Sequence, residues 1–253
     1  MTRETIGAKT KRSCKNVWDV LAAEYYSSRH KTSRNFDAII RFYLPKLVPK
    51  LYSKGLYLDL GGGKGKLQEI YPNLRLKVVI GDFSVPMLKA NHVKFKGAFA
   101  VQMDAFNIPF AENTFDAVFS LLGDHYALKR AFYEAHRVLK PNGFFLLTLP
   151  AKIWRQSITT SVGIKENETV FILSNGVQRK VPSFLYSPSE LTHVLMDAGF
   201  KLVRSDDWNS CSLVEKSNFS DHVIIAARNL GISPEEVPLI TWALAWKTRS
   251  AVE

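Results

Sequence analysis

The densest chemistry in this 253-residue chain lies in LDLGGGKGKL, residues 58–67, where Asp59 precedes glycines at 61, 62, 63 and 65. A glycine-rich turn between a strand and a helix lets a ligand approach the backbone closely. Three ligands compete for it. A phosphate loop requires GxxxxGK followed by Ser or Thr, whereas here Gly65-Lys66 is followed by Leu67 and position 60 is leucine. A dinucleotide fingerprint requires G-x-G-x-x-G; Gly61 and Gly63 fit it, but Lys66 stands in the third place. An aspartate at this edge repels a pyrophosphate and attracts a cation. The pattern Asp59-x-Gly61-x-Gly63-x-Gly65 therefore suits S-adenosylmethionine, which carries an ammonium and a sulfonium and no phosphate. The competing reading is a tight strand-to-helix turn with an incidental aspartate.

Two more carboxylates follow. Asp82, in VVIGDFSVPML, lies 21 residues past Gly61, about where an acidic residue reaches ribose hydroxyls in nucleotide-binding sheets. Asp104, in VQMDAFNIPF, suits an adenine amino group, with the Ala105 N–H offered to the ring. Either aspartate can instead cap the following helix; Ser84 competes with Asp82 for that role. In LLGDHYAL, His125 and Tyr126 are the candidate catalytic pair. Histidine is the natural base near neutral pH, and Asp124 either orients it or caps a helix. AEYYSSRHKTSRNF places Tyr25, Tyr26, Arg29 and His30 as acceptor-pocket candidates. That mix of aromatic and basic residues also suits RNA, and equally an amphipathic helix with a solvated basic turn. Trp154, Phe171, Phe184 and Tyr186 are further pocket candidates or ordinary packing.

The elements that must position these residues alternate. VWDVLAAEYY (17–26) and FDAIIRFYL have helical spacing, with Pro45 and Pro49 expected to end the second. GLYLDL, LKVVI, GAFAVQ, FDAVFSL and GFFLLTL are near-continuous apolar runs, as in strands buried on both faces. Helical stretches lie between them, notably 127–140. The pattern predicts a parallel sheet with right-handed crossovers. TVFILSNGVQRKVPSFLY reads as a hairpin turning at Asn175-Gly176, near the strand C-termini where open α/β sheets bind ligands. SPSELTHVLMDAGF is a helix from its Ser-Pro start to Gly199. KLVRS and HVIIAAR read as strands, and SPEEVPLITWALAWKTRS as a closing helix whose Trp242 and Trp246 face the core or a second copy. One domain results: an N-terminal helical cap (1–54), a cofactor half (55–149), a substrate-side insertion (150–186) and a C-terminal half (187–253).

Composition narrows the class. Apolar residues make up 46%, and no apolar run approaches the roughly 18 residues of a membrane helix. Cys14 and Cys211 lack metal-ligand spacing and read as free thiols of a reducing compartment. With no secretory signal pattern, a cytoplasmic protein is expected. Of the net charge of +11, residues 1–54 carry +8. Such a segment suits RNA phosphates or an acidic small molecule, or is a solvated helix face.

Together these motifs resemble class I S-adenosylmethionine-dependent methyltransferases, in the branch of quinone-biosynthesis, natural-product and tRNA wobble-uridine enzymes. LDLGGGKG is similar to that family's first motif and GDFSVPML to its second. MDAFNIPFAENTFDAVFS is similar to the adenine motif with the acidic strand after it, and EAHRVLKPNGFFLLT to the helix-turn-strand signature, with Asn142 in place of glycine. The resemblance spans roughly residues 50–228. It implies a Rossmann-like α/β fold: a seven-stranded, mostly parallel sheet with helices on both faces, the last strand antiparallel, an N-terminal helical cap and a β-hairpin insertion after strand 5. HVIIAAR is then the expected antiparallel strand. The implied cofactor is S-adenosylmethionine, held by Asp59, Gly61, Gly63, Asp82, Asp104, Ala105, Leu121 and Leu122; Asp116 is implied to be structural. The expected acceptor is a small molecule, with a tRNA-modifying enzyme as the alternative. A nicotinamide-dependent oxidoreductase and a non-catalytic cofactor-binding protein are the readings from other classes. Oligomers, if formed, are expected through the C-terminal helix.

Overall fold

A computed structural model describes residues 8–25, 30–48, 51, 54–210 and 218–248. Asp59 sits in β1 (Tyr57–Leu60), every residue of which is buried. β1 pairs in parallel with β2 (Val78–Asp82) on one side and β4 (Phe115–Leu121) on the other. The remaining strands are β3 (Phe99–Gln102), β5 (Leu139–Pro150), β8 (Leu202–Asn209) and β9 (Pro238–Trp246). They complete the seven-stranded order β3-β2-β1-β4-β5-β9-β8, in which β9 runs antiparallel to both neighbours. The connections leave β1 and β4 toward opposite sides, so the loops after them part and open a cleft at the strand C-termini.

Helices cover both faces. α1 (Ala8–Leu21) and α2 (Lys31–Leu47) form the N-terminal cap. α2 buries Phe36, Ile39, Ile40 and Leu44, spacings of three and four that present one apolar stripe to the sheet. It runs through Pro45 to Leu47, past the first proline expected to stop it. α3 (Lys66–Ile70) starts from Gly65, α4 (Val85–Lys94) is capped by Ser84, and α5 (Lys129–Val138) precedes β5. α6 (Lys152–Val162) follows β5, and α7 (Pro188–Asp197) opens with a capping box between Ser187 and Glu190. Between α6 and α7, β6 (Glu168–Ile172) and β7 (Gln178–Pro182) form the separate hairpin, with Gly176 at φ 80°. Asn142 tolerates φ 66° in the turn within the β5 segment.

Three expectations are corrected. HVIIAAR is not a strand. It lies in α8 (Asp221–Leu230), which buries Val223, Ala226 and Ala227 at helical spacing behind a Ser220 cap. PLITWALAW is not a helix but β9. Ile240, Trp242 and Leu244 pack on one side of the sheet, Ala243 and Ala245 on the other. The antiparallel strand is therefore this one, and the C-terminal segment lies inside the sheet, not on a helix that could serve as an oligomer face. β3, expected to be buried on both faces, is an edge strand with Phe99 63% exposed.

A small third core ties the cap to the insertion. Val17, Leu21 and Ala22 of the first helical segment pack on Met87 of α4 and on Phe171, Leu173 and Val181 of the hairpin region. Each large side chain buried there contributes roughly 1.5–3 kcal/mol, which holds α1 against α4 and the hairpin. No helix among the described residues is long and apolar enough to cross a membrane.

Candidate active site

The loop after β1 is held from several directions. The Gly61 and Gly62 N–H groups both donate to the Gly81 carbonyl, at 2.7 and 3.2 Å. Gly61, Gly63 and Gly65 have φ of 68°, 49° and 86°, a region that disfavours other residues. The glycines also make room for the protein's own side chains. A Cβ on Gly61 would lie 2.2 Å from the Tyr126 hydroxyl, and one on Gly62 2.6 Å from the Asp59 carboxyl carbon. Gly63 alone among these three has no neighbour closer than 3.8 Å. Lys66 is buried against Asp37 of α2, so a structural cation occupies the place of the third dinucleotide glycine.

Asp59 is 1% exposed, and neither carboxylate oxygen has a hydrogen-bond partner among the described residues. Burial pushes its carboxyl up to about 7, opposed only in part by the nearby Leu67 backbone. An ionised group so placed is costly unless a cation or donor meets it. Asp82 is braced: Oδ2 accepts from the Gly63 N–H at 2.9 Å and Oδ1 from the Ser84 N–H at 2.8 Å. Burial raises it to about 6, against those bonds. Each oxygen keeps a lone pair for a further donor. Asp104 accepts from the Phe106 N–H at 2.9 Å and stands beside Ala105. Asp82, Asp104, Ala105 and Gly61 line one cleft together with Tyr126, His125 and Trp18. Its free volume is about 80 Å³, below the 300 Å³ or more of typical ligand sites. Trp18 and Tyr126 stand among its walls. The residue types fit S-adenosylmethionine: two acidic strand ends in the cleft for hydroxyls and an amine, left-handed glycines, and an orphaned buried carboxylate for positive charge, although Asp59 itself lines neither cavity in this conformation.

A second, larger chamber of about 500 Å³ adjoins the cleft, and His125 lines both. Tyr25, His30, Leu122, Trp154 and Phe171 line it as well. Leu122 has φ 61°, an uncommon conformation for a bulky residue; its N–H donates to Thr148 Oγ1 at 2.9 Å. His125 packs its ring 4.7 Å from Trp18 and directs Nδ1 at the Pro182 carbonyl, 2.8 Å away. A carbonyl only accepts, so Nδ1 carries the proton and Nε2 keeps its lone pair. Asp124 Oδ2 lies 3.5 Å from Nδ1 and accepts from Ser183 at 2.5 Å. The Tyr126 hydroxyl donates to the Leu60 carbonyl at 2.6 Å and meets Ser120 at 3.0 Å. Burial drives its ionisation far upward, so it braces the loop as a neutral phenol.

Leu121, at the end of β4, packs against the core. Tyr186 is not brought to either cavity; its hydroxyl bonds the Ala127 carbonyl at 2.8 Å and its ring packs near Phe132. Phe184 packs on that same side of the sheet. Tyr26, Arg29 and Cys211 lie outside the described residues. Trp18 at the cleft, and Arg155 and His222 in the chamber, are lining residues that the sequence did not single out as site candidates.

Known proteins share sequence and fold with this chain. Residues 58–147 match the methyltransferase domain family model. The chain is 31% identical over 192 residues to the human mitochondrial arginine-hydroxylase NDUFAF5, covering 72% of this chain and 53% of that protein. It is 38% identical over 88 residues to demethylmenaquinone methyltransferase of Paenarthrobacter aurescens, covering 34% and 35%. The chain thus spans about half or less of the length of these relatives. The candidate methyltransferase of Haloferax volcanii, solved with the Trm112 methyltransferase activator, superposes with a TM-score of 0.62 at 15% identity, over 92% of this chain and 98% of that one. That likeness bears on the fold alone.

Proposed function

We propose that this class I S-adenosylmethionine-dependent methyltransferase acts on a small molecule held in the 500 Å³ chamber, with His125 taking the acceptor's proton. The observation that carries the reading is the position of His125. It stands in the wall shared by the two cavities, and its Nδ1 is committed to Pro182. Asp59, the loop glycines, Asp82 and Asp104 would hold the cofactor. Bound there, it supplies a methyl carbon already activated by a sulfonium. What remains for the chain is to position the nucleophile and, for a hydroxyl or protonated nitrogen, to accept a proton. Nε2 is the atom that accepts it. The imidazolium so formed gains from Asp124 at 3.5 Å. Trp18 lines the cleft beside His125.

The chamber volume is within the range of small-molecule sites. The name of the Paenarthrobacter relative refers to a small-molecule acceptor, which supports the same class. The test is methyl transfer from labelled cofactor into cell extract split into RNA, protein and small-molecule fractions. Label is expected in the small-molecule fraction. Label confined to RNA or protein would overturn the assignment.

A further inference from the structure

We infer that the acceptor is a small organic acid, and that Arg155 is the residue that reads its carboxylate. This rests on the chamber being the acceptor site. Arg155, on α6, lines the chamber and is 4% exposed. Its Nη1 donates to the Glu168 carbonyl at 2.9 Å and its Nη2 to Thr169 Oγ1 at 3.0 Å. Those neutral contacts orient the fork without neutralising it. Arg155 makes no ion pair among the described residues; Asp124 and Glu166 act on it only through space. Asp124 is committed elsewhere, to Ser183 and beside His125. A guanidinium cannot shed its proton in a protein, so the chamber keeps a buried positive charge whose desolvation Asp124 and Glu166 offset only in part.

The neighbouring atoms point the same way. Among the described residues, the chamber-lining side chains with a buried polar atom lacking a partner are Arg155 at Nε, Trp154 at Nε1 and His30 at Nε2. The first two are donors only. The Arg155 guanidinium lies 5.2 Å from the Trp154 ring, and Trp154 lies 6.5 Å from the His222 ring. Donors gathered beside a cation call for an acceptor-rich anion, and arginine meets a carboxylate with matched geometry. One guanidinium with two of its N–H groups already used suits a single negative charge. Phe36, Ile158 and Phe171 supply the apolar wall for the rest of the molecule. A hydroxyl or amine on that body can then face His125.

The test uses the full chain saturated with S-adenosylhomocysteine, titrated calorimetrically with 4-hydroxybenzoate and 3-hydroxybutyrate, and with the neutral amide of each. At least one acid should bind, and its amide should bind at least about tenfold more weakly. Arg155→Gln should cut acid affinity roughly 10- to 150-fold, the range of a lost charged hydrogen bond, with S-adenosylhomocysteine affinity unchanged as evidence of folding. Trp154→Phe keeps the ring, removes only the N–H, and should weaken the acid about tenfold. Amides binding as well as acids, no binding of any acid to the product-loaded chain, or an acid preference that survives in Arg155→Gln would overturn the inference while leaving methyl transfer standing. A wild-type chain that fails to bind S-adenosylhomocysteine would overturn both.

Discussion

His125 Nδ1 lies 2.8 Å from the carbonyl oxygen of Pro182, the last residue of β7. The inserted hairpin therefore sets the tautomer of a histidine that belongs to the loop after β4. A histidine fixed in this way offers the Nε2 lone pair in one direction only. His125→Ala is expected to cut turnover by roughly 10²–10⁴ while product affinity moves little. His125→Asn should not rescue it, because an amide does not accept the proton at neutral pH. Turnover within about threefold of wild type, well outside that range, would remove His125 from the catalytic group.

Asp82 joins the glycine loop to the start of α4 through the Gly63 and Ser84 N–H groups. If it also holds ribose hydroxyls, Asp82→Ala should weaken S-adenosylhomocysteine by roughly 10- to 150-fold, the equivalent of about 1.5–3 kcal/mol. Calorimetry on the folded variant measures this. Unchanged affinity would leave Asp82 as a brace alone.

Asp59 should make both stability and cofactor binding depend on pH. Its carboxyl stands at about 7 in the folded chain against an ordinary aspartate value of 3.8. Between those values the folded state binds more protons than the unfolded one, so Asp59 lowers stability as pH rises through that window. Affinity for the cationic cofactor should move the other way, strengthening as pH rises through about 6–7. Asp59→Asn removes the titration. It should flatten the fall in melting temperature between pH 4 and 7 and weaken S-adenosylmethionine most above pH 7. Thermal scans and binding at matched pH decide it; a mutant with the wild-type profile refutes the role.

Trp18 occupies space at a cleft with only about 80 Å³ free. A shift of α1 against Phe171, Leu173 and Val181 would widen the cleft for the cofactor. Trp18→Ala is expected to speed both association and release of S-adenosylhomocysteine in stopped-flow traces. Rates equal to wild type would show that the indole is no barrier.

Much of the cofactor half was legible because it is local. β1, its glycines and the aspartates at the ends of β1 and β2 follow one another within a short stretch, and the strand runs are apolar because both faces are covered. The late elements were exchanged for the opposite reason. HVIIAAR is short and apolar, and Val223, Ala226 and Ala227 fit α8 as readily as a strand. In β9 the alternation of Trp242, Leu244 and Trp246 with alanines was the available signal, masked by a tryptophan spacing of four that also suits a helix. Arg155 was hidden because α6 carries Ser, Thr and Ile, indifferent helix formers. Trp18 reaches the cleft only through the packing of α1 on the hairpin, which no nearby residue encodes.

The place of β9 has a bearing on how the chain is made. Among the described residues β8 joins the sheet only through β9, and β9 is the outer neighbour of β5. Synthesis delivers β5 long before β9 emerges, so a well-formed row of backbone donors and acceptors along β5 waits unpaired while α6, the hairpin, α7, β8 and α8 are made. At about 5–20 residues per second that interval is on the order of ten seconds, far longer than the microseconds in which strands pair. During it the nascent chain presents a sticky edge, and the final strand acts as the zip that closes it. Loss of a few residues from β9 would not trim an appendage; it would reopen the sheet along its length and release β8 with it.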